Sequence, residues 1–209
     1  MSTPSQNLRE TWLEALLPKV ERTGWTSRSA RIAAQEAGLS PGERALAAPN
    51  GVTDLIDHFF GRSLEDMHAA LSDQALTQLR THERVAAALI AWLDGLSAHK
   101  PAVRKAAGRG LAPWGAGAAA KRVWTIADAV WDAAGDTATD YNRQTKRALL
   151  SAVIPSIVLY WLDHNDPKAL KAFIDRRLKT AMRIGQTGGK VLGPGLELAS
   201  RLRRSGKSV

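Results

Sequence analysis

Along nearly the whole chain apolar residues recur at intervals of three and four, and no stretch alternates apolar with polar residues as a half-buried strand would. The fold class expected is therefore all-α. Leu8, Trp12, Leu16 and Val20, with Leu13 and Leu17, form the apolar stripe of a first helix that Gly24 stops. Two short helices follow. TSRSARIAAQEAGLS ends at Gly38, and SPGERALAA has Ser40 as its N-cap and Pro41 in the first helical position. After Asn50 and Gly51 a longer helix begins at VTDLIDHFF, and the spacing continues from 63 to 99 through residues such as Met67, Leu71, Leu89 and Trp92. The stretch KPAVRKAAGRGLAPWGAGAAAK, residues 100 to 121, is rich in Gly, Ala and Pro and reads as one short helix within loose connections. Further helices run across VWTIADAVWDAA, YNRQTKRALLSAVIPSIVLYWL and DPKALKAFIDRRLKTAMRIG, and GQTGGKVLGPG reads as a linker. Pro155 removes the hydrogen bond to the Ser151 carbonyl, so a kink is expected there.

A chain of 209 residues with 44% hydrophobic content can bury a sizeable core. It contains no cysteine, which excludes disulfides, thiolate metal sites and cysteine nucleophiles. The N-terminus MSTPSQNLRE lacks the charged start and apolar centre of a signal peptide, and no apolar run approaches the roughly 20 residues that span a bilayer. A cytoplasmic protein, peripheral to the inner membrane, is expected. The net charge of +9 is unevenly placed: residues 1 to 167 hold 18 Lys and Arg against 18 Asp and Glu, whereas 168 to 209 hold 11 against 2. A neutral body with a basic end attracts an anionic partner only locally.

Asp128, Asp132, Asp136 and Asp140 stand four residues apart, a spacing that would align four carboxylates on an unbroken helix. Gly135 breaks the series into two helices. Asp128 and Asp132 are then expected on the polar face of the first, opposite Trp124, Ala127, Val130, Trp131 and Ala134, and Asp136 and Asp140 at the start of the second, paired with Arg143 or Arg147. The competing reading is a di-iron carboxylate bundle, which needs two ExxH motifs, and only Glu65 to His68 has that spacing. His58, His82, His99 and His164 are scattered, so no metal, cofactor or catalytic group is expected. No P-loop or Ser-His-Asp constellation occurs, and the GxG at 115 to 117 follows no strand.

The first three helices suggest a helix-turn-helix joined to a helical ligand domain, as in TetR-type regulators. DNA binding is not supported by charge. Between Gly24 and Arg62 four Arg, at 28, 31, 44 and 62, face Glu36, Glu43, Asp54 and Asp57, and SPGERALAA offers one Arg beside a Glu. The helix-turn-helix is thus read as degenerate, with a ligand-responsive TetR-type transcription regulator as the alternative function.

The segment WTIADAVWDAAGDTATDYNRQTKRALLSAV carries a Trp, then Ala-Asp, a Trp, then Ala-Gly-Asp, Thr139-Asp140-Tyr141-Asn142, and Thr145-Lys146-Arg147-Ala148-Leu149. This resembles the Coq-nine family of ubiquinone-biosynthesis accessory proteins, which have a TetR-like fold and bind lipid. The likeness extends through LDHNDPKALKAFIDRRL and GWTSRSARIAAQEAGLS, and so covers most of the chain. It implies a homodimer that holds an isoprenoid quinone intermediate or a phospholipid and presents it to a di-iron hydroxylase. Trp124, Ala127, Trp131, Leu149, Ala152, Val153, Ile157, Tyr160 and Trp161 are the residues expected to wall its lipid cavity. Val130, Asp140, Tyr141, Arg143 and Gln144 are expected at the partner surface. The family pattern has a Trp-Tyr pair directly after the Asn, where this chain has Arg143 and Gln144, so the hydroxylase-facing surface is altered.

In GPGLELASRLRRSGKSV, Leu192, Leu196, Leu198, Ala199 and Leu202 share an arc opposite Glu197, Ser200, Arg201 and Arg204. An apolar face flanked by cations suits an anionic membrane surface, with Leu192, Leu196, Ala199, Arg201, Leu202 and Arg204 as the contact residues. The domain division expected is 1–61 for the helix-turn-helix region, 62–185 for the lipid-binding helices and 186–209 for the linker and membrane segment.

Overall fold

A computed structural model describes residues 3–72, 76–137 and 141–183, and the residues it describes form helices without strands. The α-helices are α1 (Pro4–Thr23), α2 (Ser27–Glu36), α3 (Pro41–Ala47), α4 (Val52–Ser72), α5 (Thr81–Gly95), α6 (Lys100–Gly110), α7 (Ala116–Ala133) and α8 (Tyr141–Asp163), followed by α9 (167–183). Capping fixes the short helices that propensity alone would leave frayed. Ser40 accepts a hydrogen bond from the Glu43 N–H while the Glu43 carboxylate accepts from the Ser40 N–H, and Pro41 opens α3. Gly24 and Gly135, at φ 74° and 78°, end α1 and α7 in the left-handed region as the sequence suggests.

Residues 100 to 121 differ from their sequence reading. Most are helical, with α6 ending at Gly110 and α7 starting at Ala116. Alanine is the strongest helix former, and the many alanines here outweigh the interspersed glycines once Ala102, Val103 and Ala106 are buried.

Three buried indoles tie the helices to one another, and that of Trp25 joins the N-terminal helices to α6. Trp12 donates to the Ala30 carbonyl at 2.8 Å, Trp25 to the Ala102 carbonyl at 2.9 Å, and Trp92 to Ser63 Oγ at 3.0 Å. A buried Trp that satisfies its N–H contributes a large apolar area without an orphaned donor. Glu10 of α1 binds His58 and Arg62 of α4; burial raises its carboxyl, but the hydrogen bonds from Arg62 and His58 outweigh this and hold it below its ordinary value. One hydrophobic cluster runs from Trp12 to Leu178. The boundary drawn at 61/62 falls inside α4. The segment 186–209, with all the residues expected to contact the membrane, lies outside the described residues.

Residues Arg143–Asp163 of α8 are long and apolar enough to cross a membrane by length and composition, against the sequence expectation. Leu150, Ile154, Ile157, Trp161 and Leu162 nevertheless bury one face of this helix in the core.

Candidate functional site: an apolar groove beside a charged lattice

The aspartate series converges on one side chain. Arg147 of α8 is 1% exposed and binds Asp128, Asp132 at 2.9 Å and Asp136 at 2.7 Å. Arg143 also binds Asp128, at 2.8 Å, and Lys146 binds Asp136, at 2.6 Å. The i, i+4 spacing on α7 brings Asp128 and Asp132 to one face, and the turn at Gly135 swings Asp136 back toward the same guanidinium. Burial raises the carboxyls of Asp128 and Asp136, but bonds from Arg147 and Arg143 to the first, and from Lys146 and Arg147 to the second, leave both below the ordinary range. Burial likewise opposes the Arg147 charge, and the two carboxylates outweigh it and raise its pKa. The expected pairing of Asp136 with Arg147 is present, and Asp128 and Asp132, expected only on the polar face of the first helix, reach the same guanidinium. Asp128, Asp132 and Asp136 clamp α7 to α8, while Asp140 lies outside the described residues. Among the described residues no group of three His, Cys, Asp or Glu can hold a metal.

On the other side of α8 lies a groove of about 410 Å³ between α5, α7, α8 and α9. Val85, Trp131, Leu149, Leu150, Leu178, Ala181 and Met182 make its apolar wall, and Thr81, His82, Thr145 and Lys146 supply the polar groups. Lys146 connects the groove to the lattice. Its ammonium binds Asp136 and lies 5.3 Å from the centre of the Trp131 ring, while its carbonyl accepts the Trp131 indole N–H at 3.2 Å. Trp131 is therefore held from both ends of one residue.

The residues expected to wall a lipid cavity divide into three groups. Trp131 and Leu149 line the groove. Ala127, Ile157 and Trp161 are buried in the core, where Trp161 also carries the Lys100 ammonium 4.7 Å from its ring centre. Trp124 and Ala152 are exposed, Val153 is half-buried against the core, and Tyr160 is stacked between His164 and Phe173. Ala152 is exposed and does not line the groove, although it stands one turn beyond Leu149 on the adjoining part of α8. Of the residues expected at a partner surface, Val130 is fully buried and so cannot serve as one; Arg143 is half-exposed and paired with Asp128, and Gln144 is exposed. Tyr141 opens α8, and nothing further is described of its side chain. Sequence reasoning missed Val85, Leu178, Ala181 and Met182, because these residues reach the groove from α5 and α9 by packing alone.

The helices define an all-α protein of the TetR-like fold. They superimpose on the crystal structure of the TetR transcriptional regulator from Nitrosomonas europaea ATCC 19718 with a TM-score of 0.63, covering 84% of this chain and 98% of that one at 19% identity. That likeness concerns the fold alone. The sequence profile of the COQ9 family matches residues 116–185, which hold the charged lattice and three of the groove's four walls. The chain is 26% identical to the rat protein "Ubiquinone biosynthesis protein COQ9, mitochondrial" over 206 residues, covering 94% of this chain and 66% of that protein. It is also 26% identical to the human protein of the same name, over 94% of this chain and 64% of that one. Identity to the Drosophila melanogaster protein of the same name is 24%, over 87% of this chain and 59% of that protein. The chain thus spans just under two thirds of the length of the rat and human proteins.

Proposed function

We propose that this protein is a non-enzymatic accessory factor of ubiquinone biosynthesis that holds the tail of an isoprenoid quinone intermediate or a phospholipid in the groove between α5, α7, α8 and α9. The observation that carries this reading is the groove itself. Seven apolar side chains wall about 410 Å³, within the roughly 300–1,000 Å³ of small-molecule sites, and the polar groups are few, Thr81 and His82 from α5 and Thr145 and Lys146 from α8. An apolar chain seated there leaves water, and the hydroxyl or phosphate end of the molecule reaches Thr81, His82 or Thr145. The likeness to COQ9 proteins supports the pathway, since the groove lies largely within the matched stretch. In this reading the protein acts as a homodimer at a membrane surface and passes the lipid to a hydroxylase. With Arg143 tied to Asp128, the contact with that enzyme differs from one made by an exposed aromatic pair.

Native mass spectrometry of the full-length protein, with lipid extraction and quantification of what is released, tests the proposal. Isoprenoid quinones or phospholipids bound in near-stoichiometric amount are expected. A lipid-free protein that also takes up no quinone analogue from detergent would sink the reading. The TetR-like fold motivates the regulator as a second reading, which predicts salt-sensitive DNA binding. The single Arg of α3, beside Glu43 in a capping box, argues against it.

A further inference from the structure

Seven tryptophans occur in the chain, and Trp12, Trp25, Trp92 and Trp161 are buried. Trp114 is 78% exposed, and with Leu111 at 89% it forms the most exposed pair of large apolar side chains among the described residues. Both stand on the turn between α6 and α7, and that turn is tightly built. The Leu111 and Ala112 N–H groups donate to the carbonyls of Gly108 and Arg109, and those of Gly115 and Ala116 both donate to Ala112. A Cβ on Gly115 would meet the Arg109 carbonyl oxygen at 2.2 Å, and one on Gly110 would meet Ala119 Cβ at 2.8 Å. Only glycine permits so close an approach, so α6 and α7 stay in contact up to the turn and present the two side chains on a fixed tip.

The stretch of chain that carries the tip has charge of one sign, and the carboxylates nearest it in space, Asp54 and Asp57, come from the start of α4. Between Asp94 and Asp128 the chain carries six Lys and Arg and no carboxylate. Arg104 and Arg122 are paired with Asp163 and Asp57 from elsewhere in the fold. Lys105 and Lys121 are exposed, and neither they nor Arg109, which donates to the Trp25 carbonyl, has an ion pair among the described residues. Lys105 lies six residues before Leu111 and Lys121 six after Gly115, each about 9 Å back from the tip at the rise of a helix. Interfacial apolar side chains reach roughly 5–10 Å into the boundary between headgroups and acyl chains. Inserted to that depth, the tip would set both ammonium groups among the lipid phosphates.

We propose that the α6–α7 turn is a membrane-docking tip, with Leu111 and Trp114 entering the interface of an anionic bilayer and Lys105, Arg109 and Lys121 facing its phosphates. A protein partner fits the tip less well. A five-residue turn offers far less than the roughly 800 Å² each side contributes to a standard protein interface. A bilayer needs only a few apolar side chains and a positive field. The site is separate from the groove, and it does not depend on what the groove holds.

The test uses the full-length protein with vesicles of phosphatidylcholine alone and with about 30% phosphatidylglycerol. Leu111→Ala with Trp114→Ala should raise the lipid concentration for half-binding to the anionic vesicles about tenfold or more. Lys105→Ala and Lys121→Ala should each raise it about fivefold. Lipid brominated on its acyl chains should quench the emission difference between wild type and Trp114→Phe, a signal that binding through any other segment leaves untouched. Unchanged binding by the Leu111/Trp114 variant, or an unquenched Trp114 signal from fully bound protein, overturns the proposal. Failure of the wild type to bind anionic vesicles overturns it as well, and so does loss of self-association in the variant, which would make the tip an interface between copies. Lipid content of the groove, measured on the same variants, stays at the wild-type level if the two sites are independent.

Discussion

Arg147 and Leu149 stand two residues apart on α8 and meet opposite surroundings. Arg147 is 1% exposed, and its guanidinium donates to three carboxylates; Leu149 looks onto an apolar groove of about 410 Å³ that nothing in the chain's described residues fills. The first environment is directional and saturated, so it fixes where α7 and α8 sit relative to one another. The second is non-directional and can accept ligands of differing shape. Lys146, between them, transmits the order of the one to the wall of the other through Asp136 and Trp131. The opposite wall, from α9, ends in Met182, which is 48% exposed and has an unbranched, adaptable side chain. One fixed wall and one adaptable wall suit a carrier of long, flexible lipids.

The largest effect should come from removing the centre of the lattice. Arg147→Ala leaves Asp128 to Arg143 and Asp136 to Lys146 and empties the buried centre between them, and losing one partner of a buried ion network costs about 3–5 kcal/mol. At roughly 2–4 °C per kcal/mol for a domain of this size, the thermal midpoint should fall by about 10 °C. An unaltered midpoint would mean that both sides of α8 are held by apolar packing alone. Acid should act on the same contacts with a smaller effect. Asp128 and Asp136 titrate lower in the folded chain than in the unfolded one, so the unfolded chain takes up protons first. Their contribution is intact above the ordinary aspartate value of about 3.9 and is lost as pH falls through the lowered values. Urea unfolding as a function of pH should show this decline below about pH 4, and it should be blunted in Arg147→Ala. The smallest effect belongs to Arg143→Ala. Arg143 and Asp128 are both about one third exposed, so urea unfolding should register less than about 1 kcal/mol.

The helices were legible because each carries an apolar stripe closed by a glycine or a cap, as at Gly24, Ser40 and Gly135. The α6–α7 region was not, since its glycines read as breaks although Gly110 and Gly115 serve close packing. The aspartate spacing pointed to one helical face, and Arg147 was expected beside Asp136 but not beside Asp128 or Asp132. Arg147 lies 11 residues beyond Asp136, and only the turn at Gly135 brings them together. The groove was half legible. Trp131 and Leu149 lie within the motif that resembles the Coq-nine family, whereas Val85 and Leu178 join them from helices distant in sequence. Ala152 shares the helical period of its neighbours but projects outward, a distinction that depends on which face α9 covers.

The central claim is that lipid occupies the groove rather than the outer face of α8, and a pair of substitutions on that helix tests it directly. Leu149→Trp fills the groove, whereas Ala152→Trp places the same indole on the exposed face. With both proteins purified in parallel and their bound lipid quantified by native mass spectrometry, Leu149→Trp should lose about tenfold of its lipid and Ala152→Trp should match the wild type. Equal retention by both, or loss confined to Ala152→Trp, would contradict the account.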